Sequence, residues 1–298
     1  MSQPRILKAC AWLVGLCALA SLYGCASTPA AQVRSAAQLT PLPPTTRDLL
    51  NLPAPKGKVT VAVYGMRDQT GQYKSAPDSS FSTAVTQGAS SMLVKALHDS
   101  GWFIAVEREN LQNLLTERKI VRALETPPPA GTQAVQTPPL LAASVLIEGG
   151  IIAYESNVRT GGAGARFLGI GLSSRYRVDQ VTVNLRSVNI RSGQILQSIS
   201  TTKTIYSYEI TPSVFKFVNI KDLLEVELGM TRNEPGQMCV HEAIEAGVAH
   251  LIAQGLKDGN WALKEQAGWT NPVLQRYLAD YDSLYAREKV ALKPELQP

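Results

Sequence analysis

The chain has 298 residues, of which 18% are charged, and its formal net charge is +5, which gives no argument for nucleic-acid binding. Of its four cysteines, Cys10, Cys17 and Cys25 lie near the N-terminus and Cys239 stands alone, so we expect no internal disulfide framework.

The N-terminus is typical of a lipoprotein export signal. Two basic residues precede an apolar stretch from Ala9 to Leu22, and Leu22-Tyr23-Gly24-Cys25 resembles a lipobox. We expect removal of residues 1–24 and lipid on Cys25, with Ser27 favouring sorting to the outer membrane. An ordinary cleaved signal peptide or an uncleaved anchor is the alternative. No apolar run of about 18 residues recurs after it, so no transmembrane helix is expected.

The rest of the chain predicts helices packed on a sheet, an α+β periplasmic domain. Residues 25–57, rich in Pro, Ala, Thr and Gln, are predicted to be a tether whose end, Leu49 to Pro55, lies on the domain. The domain is expected to consist of a core over 58–155, further core strands over 181–200 and C-terminal helices over 233–298.

Hydrophobic periodicity predicts the elements of this domain. The predicted strands are Val59–Val63, Trp102–Val106, Ala143–Tyr154, Val178–Asn189 and Gln194–Thr202. The predicted helices are Phe81–His98 (capped by Ser80 or Ser82), Leu111–Arg122, Val240–Gln254 and Pro272–Lys289. A proline-rich loop is expected over Thr126–Pro139.

Two stretches suit membrane hairpins as well as soluble ones. Residues 156–180 are glycine-rich, and residues 201–232 alternate apolar and polar residues at both ends, over Thr204–Thr211 and Leu224–Thr231. Strands of about ten residues are long enough to cross a bilayer when tilted. An exposed soluble sheet gives the same alternation. If the hairpins enter the membrane, several copies must share one barrel, because an open edge in hydrocarbon is prohibitive.

Other chemistries fit less well. His241 and Glu245 share a helix face, but the zinc-protease motif needs histidine where Glu245 stands, so polar residues on a helix surface are expected instead. The glycines between 161 and 171 lack the features of a phosphate-binding loop. Cys239 is expected to be a small core residue. No catalytic site, metal or cofactor is predicted, apart from the covalent lipid on Cys25.

Several longer segments carry a resemblance that covers about residues 45–290. They are Leu52-Pro53-Ala54-Pro55, Asp68-Gln69-Thr70-Gly71-Gln72, Phe81-Ser82-Thr83-Ala84-Val85, Leu111-Gln112-Asn113-Leu114-Leu115, Glu117-Arg118-Lys119-Ile120, Tyr154-Glu155-Ser156-Asn157-Val158 and Asn233-Glu234-Pro235. The chain resembles the curli production assembly/transport lipoprotein family. This resemblance implies a nonameric ring in which each chain gives two transmembrane β-hairpins, 156–180 and 201–232, to a shared 36-stranded barrel.

The resemblance also implies a pore constriction made by the loop over 72–81. Phe81 matches the family's constriction phenylalanine, whereas Ala76 and Ser80 replace its tyrosine and asparagine. A hydrophobic staple at the start of the following helix is the alternative role for Phe81. Glu209, Glu225 and Glu227 are the candidates for charges on the barrel lumen; single solvated carboxylates on a sheet are the alternative.

The function that the resemblance implies is a non-enzymatic outer-membrane channel for unfolded curli subunits. Passage needs no nucleotide, and the implied partners are a periplasmic capping factor, a surface nucleation factor and outer-membrane lipid, with no nucleic acid. The alternative is a monomeric, lipid-anchored binding or regulatory module of the outer membrane that faces the periplasm.

Overall fold

Alternating apolar side chains build one mixed sheet, which helices cover on one face. The computed structural model describes residues 39, 42–73, 83–124, 137–160, 175–211, 214–218 and 235–291. In this part of the chain the strands are β1 (Val59–Asp68), β2 (Phe103–Glu107), β3 (Val145–Thr160), β4 (Arg175–Asn189), β5 (Ile195–Thr211) and β6 (Val214–Val218). The helices are α1 (Pro44–Leu50), α2 (Ala89–Asp99), α3 (Leu111–Leu124), α4 (Pro235–Lys257) and α5 (Pro272–Ala291), with a short 3₁₀ helix at Gln266–Thr270.

The six described strands follow the order β2-β1-β3-β4-β5-β6. β1 is parallel to both β2 and β3, and the pairs from β3 to β6 are antiparallel. The parallel connections carry α2 and the long chain segment that includes α3, as a crossover between parallel strands requires. The sheet is therefore mixed, and the chain has the predicted α+β class.

The core lies between the sheet and helices α2 and α4. Leu93 and Leu97 of α2 and Ile244 of α4 are fully buried, as are Ile147 and Leu185 on the sheet face that meets them. Their spacing follows the helical and strand periods, so burial of one stripe per helix and one face per strand drives the assembly. Gly247 permits close approach of α4, since a Cβ there would lie 2.9 Å from Leu185 Cδ1.

Helix α1 lies within the region predicted as a tether. Pro44 stands at its first turn, where a missing N–H costs nothing, and Leu49 is fully buried. Pro55 forms an isolated antiparallel bridge with Leu263. The predicted contact of Leu49 to Pro55 with the domain is thus confirmed, and it begins earlier, with a helix that the sequence did not predict.

The predicted helix Phe81–His98 begins too early. Helix α2 starts at Ala89, its N-cap is Gly88, and neither Ser80 nor Ser82 caps it. Thr83 instead forms an extended bridge, which is incompatible with helical dihedral angles. Phe81 itself lies outside the described residues.

The strands run further than their hydrophobic patterns predicted. β1 continues to Asp68, β3 to Thr160 and β5 to Thr211. β3 and β4 remain paired up to Thr160 and Arg175, as a hairpin over 156–180 requires. The return partner of β5 is β6, and Thr211 pairs with Val214. The strand predicted over Leu224–Thr231 lies outside the described residues.

The chain divides into two units, Met1–Pro41 and Leu42–Pro298. All the elements above belong to the second unit, and of the first unit only Leu39 is described. Within the described ranges, no helix combines the length and apolarity needed to cross a membrane.

Candidate functional site

The residues predicted to form the pore lie mostly outside the described part of the chain. This applies to Cys25, Ala76, Ser80, Phe81, Glu225 and Glu227. The backbone of Glu209 is described: it lies in β5, opposite Phe215 of β6. The described candidate site is therefore the pair of chain segments that enter and leave residues 74–82.

These two segments are joined to each other directly. Tyr73 and Thr83 form an antiparallel bridge, and the main-chain N–H of Ala84 donates a hydrogen bond of 2.8 Å to the carbonyl of Gln72. We call Asp68–Tyr73 together with Thr83–Gly88 the loop base. It brings Tyr73 and Thr83, the residues on either side of positions 74–82, to one place.

The Asp68 carboxylate links both halves of the loop base. Its Oδ1 accepts hydrogen bonds from the main-chain N–H of Thr70 (2.8 Å) and from the Thr70 hydroxyl (2.7 Å), an arrangement typical of an Asx turn. Its Oδ2 accepts a longer bond, 3.4 Å, from the side-chain amide of Gln87 on the other half. Asp68 therefore fixes the direction in which the chain leaves β1.

A buried hydroxyl ties β1, just before the loop base, to α2. The Met66 N–H donates a 2.7 Å hydrogen bond to Ser90 Oγ, and Ser90 is buried in the first turn of α2. The register between β1 and β3 shifts between Val63 and Met66, where Gly65 has φ of 153°. The pairing of β1 with β3 is interrupted here, and a buried N–H group requires an acceptor. The Ser90 hydroxyl is that acceptor for the Met66 N–H.

The loop base lies at the end of β1, beyond which the sheet continues without this strand. Asp68 is the last residue of β1, it pairs with Ile151, and the Gln69 N–H donates a 2.9 Å hydrogen bond to the Ile151 carbonyl. β3 continues beyond Ile151 to Thr160, paired with β4. The loop base therefore lies at the end of the sheet towards which β3 and β4 extend beyond β1.

The residues considered for a metal form a different cluster. His241 Nε2 lies 3.3 Å from Glu245 Oε1, and this contact raises the pKa of His241. The Glu245 carboxylate accepts hydrogen bonds of 2.5 Å from the hydroxyls of both Thr45 and Thr46. Glu245 is only 1% exposed, so the expectation of polar residues on a helix surface was wrong.

The described residues contain no further candidate site for a metal or a nucleophile. Among the described residues, no three His, Cys, Asp or Glu side chains are placed to hold a metal ion. Cys239 is fully buried, which confirms it as a core residue, and burial raises the pKa of its thiol to about 12. Such a thiol is a weak nucleophile.

The sequence did not identify the loop base as a positioning device. Its signal is the run Asp68-Gln69-Thr70-Gly71, whose composition is typical of a turn after a strand. Gly71 has φ of 64°, in the left-handed region that glycine favours. The contribution of Gln87 and Ser90 had no comparable local signal, because each acts across about 20 residues of chain.

Comparisons with known proteins agree with the resemblance. The profile of the family described as "Curli production assembly/transport component CsgG" matches residues 44–280. The protein of that name from Salmonella typhimurium (strain LT2) is 48% identical over 276 residues, covering 92% of this chain and 97% of the relative. Its namesake in Escherichia coli (strain K12) is 48% identical over 266 residues, covering 88% and 95%.

Solved structures are less similar in sequence. The PelC dodecamer from Paraburkholderia phytofirmans has a TM-score of 0.26 and 12% identity, and the match covers 66% of this chain and 89% of that one. The family match, by contrast, spans most of the chain, including the loop base and every described strand. The chain belongs to the CsgG family of curli production assembly/transport components.

Proposed function

We propose that the protein is an outer-membrane channel that secretes unfolded curli subunits. Membership of a transport family is the single observation that carries this proposal. Lipid on Cys25 anchors the chain, and nine copies each give two hairpins to a shared 36-stranded barrel. Transport is diffusive and uses no nucleotide, so the protein is a secretion component without catalytic activity.

The course of the long strands supports membrane insertion of the hairpins. β3 and β4 leave the domain side by side, and the chain between Asn157 and Val178 is long enough for two strands of about ten residues. β5 and β6 leave at the same end, because β5 pairs with β4 along nearly its whole length. Both hairpins therefore point in one direction, as strands of a common barrel must.

The position of the loop base supports a constriction beneath that barrel. It holds both ends of segment 74–82 together at the end of β1, and this segment contains Ala76, Ser80 and Phe81. We propose that Phe81 side chains form the narrowest ring of the pore. An aromatic ring can contact a passing unfolded chain without specific hydrogen bonds.

Strand alternation supports a lumen position for Glu209. Ile205 and Ser207 are buried on the helix-covered face of β5, and Glu209 is the next residue of that alternating series in the sequence. Segment 74–82 connects to α2, which covers that same face. We propose that Glu209, with Glu225 and Glu227, gives the lumen an anionic lining. The proposed partners are curli subunits, a periplasmic cap and a surface nucleation factor.

Single-channel recording tests this function. Protein purified from outer membranes should give stable conductance steps in a planar bilayer, and Phe81→Ala should increase their size by widening the constriction. Tyr64→Ala is the matched control, because Tyr64 is a 61% exposed aromatic side chain on β1, outside the predicted constriction at 72–81. It should leave the conductance unchanged.

Absence of current from correctly lipidated protein would contradict the channel. A monodisperse monomer in mild detergent would favour the alternative, a lipid-anchored binding or regulatory module facing the periplasm. Oligomers that resist heating in mild detergent would support the shared barrel.

A further inference from the structure

A cluster of buried polar contacts lies where β3, β4 and β5 leave the cover of α4. We call it the collar, and it consists of Tyr154 on β3, Arg177 and Asp179 on β4, Lys203 on β5, and Cys239 and Glu242 on α4. Neither the loop base nor the predicted constriction uses these residues. They connect three strands, β3, β4 and β5, to helix α4, and this connection indicates their role.

Asp179 is the centre of the collar. It is 1% exposed, and its two carboxylate oxygens bind side chains of two different strands. Oδ1 accepts a 3.0 Å hydrogen bond from the Tyr154 hydroxyl of β3, and Oδ2 accepts a 2.9 Å bond from Arg177 Nε of β4. A buried carboxylate held on both oxygens has little rotational freedom.

The first turns of α4 lie across all three strands. The Cys239 thiol donates to the main-chain carbonyl of Asp179 at 3.5 Å, and Lys203 of β5 forms a 2.5 Å ion pair with Glu242. A Cβ at Gly236 would lie 3.3 Å from the Tyr154 ring, so glycine allows the helix to pack directly on β3. One helix end thus fixes β3, β4 and β5 relative to each other.

The collar lies near the end of the covered part of the sheet; two residues further along β5, Ser207 is still only 1% exposed. Asp179 pairs with Ser156 on one side and with Ile205 on the other. Beyond this level β3 and β4 continue to Thr160 and Arg175. Any rotation at the collar is therefore transmitted along the whole length of the hairpins.

A small rotation at this level has a large effect at the hairpin ends. A strand of about ten residues is roughly 33 Å long, so a tilt of about 10° moves its end by roughly 6 Å. Neighbouring strands are about 4.8 Å apart, so this displacement exceeds one strand spacing. Buried ion pairs add little net stability compared with apolar groups, but they can specify one geometry.

We propose that Asp179 is a positioning residue that sets the angle at which both hairpins leave the domain, and thereby controls assembly of the ring. This proposal rests on the proposed function, since it assumes that the hairpins pair with those of neighbouring copies. A change at most core residues would affect both the stability of the domain and the assembly of the hairpins. A change at Asp179 is expected to affect mainly the assembly.

The test uses Asp179→Asn, which keeps the side-chain size and an acceptor for Tyr154 but removes the charge that holds Arg177. Because the Arg177 side chain is 31% exposed, water can solvate its charge in the variant, so we expect only a modest fall in unfolding temperature. We expect several-fold fewer heat-resistant oligomers, more than this fall accounts for, and a broader distribution of conductances. Tyr154→Phe, which removes one hydrogen bond and keeps the ring, should show a weaker form of the same defect.

Glu148→Gln is the matched control. Glu148 forms a 2.9 Å ion pair with Arg186 on the same sheet, but both side chains are more than 40% exposed. Breaking this pair should change neither oligomers nor conductance. Native oligomer yield and conductance in Asp179→Asn would overturn the proposal, as would a loss that a fall in unfolding temperature fully accounts for.

A distance measurement keeps the proposal testable if the protein proves to be a monomer. Spin labels at Asn157→Cys and Asp258→Cys, two exposed positions on β3 and after α4, report hairpin orientation by electron–electron double resonance. The distance distribution should broaden in Asp179→Asn and stay narrow in Glu148→Gln. A monomer without current would remove the proposed function alone, whereas an unchanged distribution would remove the role of Asp179.

Discussion

The hydroxyl of Thr46 donates a 2.5 Å hydrogen bond to the carboxylate of Glu245, joining residues 199 positions apart in the chain. Thr45 donates to the other carboxylate oxygen. Both oxygens of a buried carboxylate are therefore satisfied by α1, which lies within the region predicted as a tether. The contact fixes α1 against α4.

Removal of both hydroxyls should destabilise the domain. In Thr45→Val with Thr46→Val the Glu245 carboxylate stays buried without these donors, and we expect a loss of about 2 to 4 kcal/mol in the free energy of unfolding. Urea unfolding followed by circular dichroism measures it. Thr116→Val is the control, because Thr116 lies on an exposed face of α3, and an equal loss there would contradict the assignment.

The stability contribution of His241 should depend on pH. The hydrogen bond to Glu245 raises the pKa of His241, helped by Glu242 and opposed by burial and by Lys95. Because the folded-state pKa exceeds the unfolded value of about 6.5, the stabilisation is present below that pH and is lost as the pH rises through the folded-state pKa. His241→Gln should therefore destabilise the protein more at about pH 5 than at about pH 9.

His250 should behave in the opposite way. Burial lowers the pKa of His250, whose ring packs edge-on against Tyr277 with centroids 4.7 Å apart. Its folded-state pKa lies below the unfolded value, so it reduces stability as the pH falls through this range. His250→Leu should show a smaller acid-induced loss than the native chain in urea titrations at several pH values. A larger loss would contradict this sign.

The predicted constriction can be narrowed by restoring the family's side chains. We expect Ala76→Tyr with Ser80→Asn to lower the open-channel conductance, because both replacements add bulk on segment 74–82. Single-channel recording beside the native protein measures it. An unchanged or higher conductance would show that these positions do not line the narrowest part.

Release of the loop base should make the pore less uniform. Asp68→Ala removes the acceptor that links Thr70 and Gln87, so the direction of the chain leaving β1 is less constrained. We expect noisier open-channel currents at an unchanged unfolding temperature. Asp258→Ala, at an exposed position after α4, serves as the control. Equal noise in both variants would exclude a role for the loop base.

The thiol of Cys239 should be inert in the folded protein. With its pKa at about 12, roughly one thiol in ten thousand is ionised at about pH 8. Once residues 1–24 are removed and Cys25 is acylated, we expect thiol labelling only after addition of urea. Complete labelling of the native protein within minutes would show that this part of the collar opens readily.

Local sequence patterns located most of the elements and were sufficient to identify the family. Period-two alternation located β1 to β5 and helical spacing located α3 to α5, because both depend on residues close together in the chain. The family resemblance depended on long matching segments and is confirmed by the match over residues 44–280. The export signal, the lipid on Cys25 and the lumen glutamates stay predictions.

The sequence by itself therefore determined most of the strands and helices, although not α1 or β6, and the family to which the chain belongs. Only the tertiary structure decided that α2 begins at Ala89, that Glu245 is buried beneath α1, and that Asp179 binds Tyr154 of β3 through its side chain and Cys239 of α4 through its carbonyl. Each of these three features depends on contacts between residues far apart in the chain. Local hydrophobic periodicity does not predict such contacts. Packing of the whole domain selects them, because a buried polar group is stable only where such a partner is present.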